Sequence, residues 1–184
     1  MQTLEIVMIV VAVAVLAGLG WVYYQHQRSR RLRTHFGPEY ERTVYEAGSR
    51  RRAESILAER EAHLKKLEIR PLASSERDRF ETEWKLCQSH FVNDPARAVR
   101  EADSLVTEIM RTRGYPTGDT DERSGNISAA YPNVARSYRE ACETLVHYDQ
   151  GNASTEDLRR AMISYRELFD ELLGAEREEL QRAS

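Results

Sequence analysis

Two pairs of residues in this chain have the spacing of metal ligands. Cys87 and His90 stand three apart, and Cys142 and His147 stand five apart. Two thiolates and two imidazoles can make a tetrahedral zinc set, and a separation of three places two ligands on one side of a helix. Against this, each cysteine falls within an apolar stripe, where a thiol behaves as a small buried hydrophobe. The stripes are Phe80-Trp84-Cys87-Phe91 and Val134-Tyr138-Ala141-Cys142-Leu145. Their helical periodicity favours burial, so no metal and no cofactor is expected. Glu143 and His147 do not supply the paired Glu-x-x-His of a di-iron bundle. Asp119-x-Asp121 opens like a calcium loop, but Arg123 and Ser124 stand where an oxygen ligand and a glycine are needed. The sequence has no phosphate-binding glycine loop, no nucleophile elbow and no His-Glu-x-x-His. It therefore predicts no catalytic residue and no enzyme.

The elements that would position such residues begin with Ile6–Tyr24, a stretch without charge. As a helix it reaches roughly 28 Å, close to the hydrocarbon thickness of a bilayer, and predicts a single transmembrane span. A cleaved signal peptide would carry its positive charge before the apolar run, whereas here only Glu5 precedes it, although the small residues Ala12, Ala14 and Ala17 leave cleavage open. Arg28, Arg30, Arg31 and Arg33 follow it and are expected to contact the membrane surface. By the positive-inside rule the N-terminus lies outside and the C-terminal domain in the cytoplasm. Trp21, Tyr23 and Tyr24 suit the interface. Ala14 and Gly18 would allow a homodimer through the span.

The charge balance is uneven. Residues 25–70 hold 12 Lys/Arg against 7 Asp/Glu, and residues 71–184 hold 15 against 22. The acidic distal part argues against nucleic acid as a partner. The organisation expected is an anchor over residues 1–27, a basic juxtamembrane segment and charged linker helix over 28–70, and a helical bundle over 71–184. No strand pattern follows residue 24. Ala53, Leu57, Leu64 and Leu67 give the linker a narrow stripe, with Arg60 between, as in a coiled-coil-like or edge helix. Ser74 or Ser75 caps the next helix, Asp94-Pro95 starts another, and Gly114 ends it in a left-handed conformation. Tyr115 to Pro132 reads as the longest irregular stretch, with Asp119 to Ser128 as a possible short helix. Helices from Asn133 and from Thr155 complete the set. The fold class predicted is all-α, a single N-terminal transmembrane helix followed by an antiparallel helical bundle.

Four segments carry a resemblance: Phe36-Gly37-Pro38-Glu39-Tyr40-Glu41-Arg42-Thr43-Val44, Arg79-Phe80…Trp84…Gln88…Phe91-Val92, Arg113-Gly114-Tyr115-Pro116 and Thr155-Glu156-Asp157-Leu158-Arg159-Arg160-Ala161-Met162. They resemble a family of bacterial membrane-anchored or secreted proteins with a helical domain and no assigned activity. The likeness covers most of Thr34 to Leu173. The chain departs from that pattern at Ala130-Tyr131-Pro132, where Asp-His-Pro is usual, and at Cys142, where His is usual. The resemblance implies a bacterial source, hence the inner membrane, and a helical domain, but no chemistry. The function expected is a protein-interaction or scaffold module at the membrane. Its contact surface would be the stretch bearing Tyr115, Asp119, Asp121, Glu122 and Arg123. The alternative is a ligand- or lipid-responsive domain with a pocket near Trp84 and Tyr138.

Overall fold

The computed structural model describes the backbone of residues 2–183 and the side chains of residues 16, 18–21 and 23–174. Among the described residues the fold is all-helical, with eight helices and no strand. The chain divides into two compact units, Met1–Leu57 and Ala58–Ser184.

The first unit holds α1 (Gln2–Phe36), α2 (Pro38–Ala47) and the start of α3 (Arg50–Leu64). Pro38 opens α2 at the position where its missing N–H costs nothing. Gly48 ends α2 at φ +67°, in the left-handed region that glycine enters without strain. A polar network closes the unit. Glu54 Oε1 accepts from Ser29 Oγ, from Tyr40 OH at 2.8 Å and from Arg50 Nε at 3.1 Å. Arg50 also donates to Tyr40 OH at 2.9 Å and to Ser29 Oγ at 2.6 Å. Each hydroxyl thus donates to the carboxylate and accepts from the guanidinium, and one residue from each of α1 and α2 is tied to two on α3.

The expected membrane span is overturned here. Among the described residues no helix is long and apolar enough to cross a membrane. The physical reason is that α1 runs without a break through Arg28, Arg30, Arg31 and Arg33 to Phe36, so its described part mixes apolar side chains with guanidinium groups. Of the stretch Ile6–Tyr24, the side chains of residues 6–15, 17 and 22 lie outside the described set, as does Ala14 of the small-residue pair.

In the second unit, α3 ends at Leu64, short of the end at residue 70 expected for the linker segment, and a segment without helix leads to α4 (Ser74–His90). Ala73, not a serine, is the N-cap residue; its N–H donates to Glu76 Oε2 at 2.9 Å, while its methyl group offers no acceptor in return. Asp94 caps α5 (Pro95–Arg113) by accepting from the Arg97 N–H at 3.0 Å. Then come α6 (Thr120–Ala130), α7 (Pro132–Asp149) and α8 (Thr155–Ala183).

The side-chain pairs give the directions. Cys87 meets Ala98 and Arg79 meets Glu108, so α4 and α5 run antiparallel. Arg100 pairs with Asp149 while Arg113 meets Tyr131, so α5 and α7 also oppose each other. Asp103 meets Tyr165 and Arg113 meets Leu172, so α5 and α8 run the same way. Between these helices lie Phe80, Trp84, Val99, Val106, Ile109, Tyr138, Tyr165, Leu168 and Phe169, all buried. Trp84 stacks on Phe169 with centroids 4.8 Å apart, and Tyr138 meets Tyr165 edge-on at 6.0 Å. Such pairs add about 0.5–1.5 kcal/mol to the area they bury.

Candidate functional site

The stretch expected to be an irregular contact loop is mostly helix. Asp119 caps α6, accepting from the Glu122 N–H at 2.7 Å, and Glu122 accepts from the Gly118 N–H at 2.8 Å. Two acids in the first turn, Asp121 and Glu122, suit the positive end of the helix dipole. The expected contact residues are not brought to one surface. Asp121 and Glu122 border a groove with the end of α3. Tyr115 is 5% exposed and packs against Tyr131, hydroxyl to hydroxyl at 3.4 Å. Arg123 turns inward, donating to Thr107 Oγ1 and to Thr120 Oγ1 at 3.2 Å, with Asp103 at 3.6 Å.

Arg123 belongs to a partly buried polar cluster that joins four helices. Tyr165 OH donates to Asp103 Oδ1 at 3.1 Å. With that proton committed, the Cys142 thiol is the donor to the Tyr165 oxygen at 3.5 Å. Among the described residues, the fully buried Tyr138 OH has no hydrogen-bond partner, and neither has Arg123 Nε. Burial pushes the Cys142 thiol up, and burial does the same to both phenols. A thiol pushed up in this way is a weaker nucleophile at neutral pH than a free cysteine. The cluster's role is to tie α5, α6, α7 and α8 together.

Sequence reasoning missed Asp103, Thr107 and Arg113, although a signal was there. Asp103 sits on the Val99, Ala102, Val106 stripe, and Arg113 follows Ile109 by four and Met110 by three. A polar side chain on an apolar stripe must find partners. Arg113, 3% exposed, donates to Tyr131 OH at 2.7 Å and to the Leu172 carbonyl at 2.8 Å.

The metal-like pairs are engaged separately. Cys87 donates to the Ala98 carbonyl at 3.0 Å, and burial, then the nearby Glu101 carboxylate, pushes its thiol up to about 12. His90 Nδ1 meets Glu101 at 2.7 Å. Both cysteines are free, and among the described residues no group of three or more potential ligands forms. Arg28, Arg30, Arg31 and Arg33 are exposed on α1, with Arg33 bridged to Glu41 at 2.8 Å.

The α3–α6 groove holds about 420 Å³. Its α3 side offers Glu59, Arg60, His63 and Lys66, and its α6 side Asp121, Glu122 and Asn126. A second groove, of about 370 Å³, runs along α4 and α8 over the Trp84–Phe169 stack, with Arg77, Lys85 and Arg166 beside it. Tyr138 borders neither.

Comparison of the chain with protein-family models, with curated proteins and with solved structures finds no match.

Proposed function

We propose that the second unit is a protein-interaction module that receives its partner at the α3–α6 groove. The observation that carries this reading is the composition of the groove wall: six of its nine residues are ionisable, the acids Glu59, Asp121 and Glu122 beside Arg60, Lys66 and His63. Pockets for small molecules are mostly apolar with a few polar groups, whereas a polar, open wall suits the rim of a protein interface. The partner segment is polar and carries both signs, a cation toward Asp121 and Glu122 and an anion toward Lys66.

The test places a photo-crosslinking residue at Lys66 or Asn126 in the full chain, with Arg136 on the exposed side of α7 as control. The same partner captured from both groove positions, absent from the control, and lost on Glu122→Lys, supports the reading. Capture of no reproducible partner, or capture unaffected by Glu122→Lys, refutes it.

A ligand-responsive reading has one observation in its favour, the aromatic floor of the α4–α8 groove. A ligand there would raise the melting temperature of the wild type and not of Lys85→Gln/Arg166→Gln.

A further inference from the structure

The first unit has a groove of its own, about 350 Å³, between α1 and the start of α3. Trp21, Gln25, His26 and Ser29 line it from α1; Arg50, Arg51 and Glu54 line it from α3. We propose that this groove binds a phosphate monoester group, with Arg51, His26 and Gln25 as donors and Trp21 beside the group to which the phosphate is attached.

Charge comes first. Residues 1–57 hold eight arginines and five glutamates. Among the described residues Glu54 is the one acid lining the groove, and its Oε1 is already engaged by Arg50, Ser29 and Tyr40. The network therefore absorbs the floor's negative charge, and Arg51 is the cation left at the rim, with Gln25 and His26 beside it. Three consecutive arginines, Arg50, Arg51 and Arg52, open α3, whose first turn has no acid. Arg50 is held by the polar network, but cations at a helix N-terminus oppose the helix dipole, so that dipole disfavours Arg51 and Arg52 there. An anion in the groove turns the same placement into an advantage, because guanidinium groups and helix dipole then act on one charge.

Donor number decides the class of anion. The Arg51 guanidinium is exposed and offers a planar fork, Gln25 an amide and His26 a ring nitrogen. A carboxylate has two oxygens and one charge; a phosphate monoester has three terminal oxygens and nearly two charges, and it uses all these donors. The floor is preorganised: Ser29 is 6% exposed and fixed by Glu54 and Arg50, so binding need not order it. Trp21, 66% exposed at the rim, presents an aromatic face to whatever carries the phosphate.

That carrier is either a soluble monoester or the headgroup of phosphatidic acid, and one titration separates them. Trp21 is the reporter, read in a Trp84→Phe background because Trp84 floors the α4–α8 groove. The full chain is titrated, at constant ionic strength, with glycerol 3-phosphate, with phosphatidylcholine vesicles containing phosphatidic acid, and with vesicles containing phosphatidylglycerol, a diester, instead. Arg51→Gln is compared with Arg52→Gln, an exposed arginine outside the groove lining. Saturable change in Trp emission with glycerol 3-phosphate, weakened about tenfold or more by Arg51→Gln and little by Arg52→Gln, supports the site with a soluble ligand. The same pattern with phosphatidic acid vesicles alone supports it with a lipid ligand. Equal response to the diester, equal loss in both variants, or no saturation with any probe overturns it. The outcome is independent of the α3–α6 groove, which belongs to the second unit.

Discussion

At Gly114 two demands meet on one residue. Its φ is +96°, and a Cβ there would stand 2.7 Å from the Glu68 carbonyl oxygen. The segment from Glu68 to Arg70 lies close because the Arg70 N–H donates to the Arg113 carbonyl at 2.9 Å. Gly114→Ala therefore meets both left-handed strain and a backbone clash. It should lower stability by about 1–3 kcal/mol, read as a lower denaturation midpoint at unchanged m-value. The cysteines give a second test at this scale. Both thiols are pushed up by burial, Cys87 to about 12, so the thiolate is scarce and shielded near pH 8. Alkylation should be slow at both sites in the folded chain and fast in denaturant; rapid native labelling of Cys142 would contradict the donor role assigned to its thiol. Cys87 was readable from its stripe. Asp103 and Arg113 were harder, because a polar residue on an apolar stripe reveals a need for partners without naming them.

Among the elements, α6 was the least legible. Its inward residues are Ser124, Asn126, Ile127, Ser128 and Ala129, mostly small or polar, so they leave no apolar period to read. What holds it is specific: Asn126 donates to the Pro116 carbonyl at 3.0 Å, and Arg123 reaches Thr107 and Asp103. Arg123→Met keeps the apolar stem and removes these bonds. It should speed amide exchange across α6 by a local loss of about 1–3 kcal/mol, with α5 and α8 little changed. By contrast, α5 and α8 announced themselves by periodicity and caps: Asp94-Pro95 opens one, and Ser154 with Asp157 opens the other. The start of α8 also sets a pH response. The Ser154 hydroxyl, its N–H and then Arg160 hold Asp157 down at about 2, from 3.8; Arg70 and then the Ala73 N–H hold Glu76 at about 2, from 4.5. Both folded values are depressed, so both contributions are complete above the unfolded values and are lost as pH falls through about 2. Titration by NMR should show carboxyl midpoints well below the ordinary range and fraying of the first turns of α4 and α8 only in acid.

At the scale of the whole molecule, the all-helical class and the second unit's main stripes were legible because their apolar residues recur at helical spacing: Phe80, Trp84 and Cys87, and Leu158, Ala161, Tyr165, Leu168 and Leu172, are all buried. The span at Ile6–Tyr24 was read from apolar length, whereas α1 continues through its arginines to Phe36 as one helix. What no local pattern could give was the pairing between distant helices. Trp84 stacks on Phe169, and Arg113 reaches the Leu172 carbonyl, so α8 completes sites begun on α4 and α5. During synthesis, at about 5–20 residues per second, α4 and α5 leave the ribosome several seconds before the residues that cover them. For that interval their apolar faces are open to water and to chaperones. A chain released before Leu168 should remain helical yet unfold without a cooperative transition, and it should be captured by holdase chaperones that ignore a chain carrying all of α8. The emergence of α8 thus sets the moment at which the faces of α4 and α5 stop being chaperone targets.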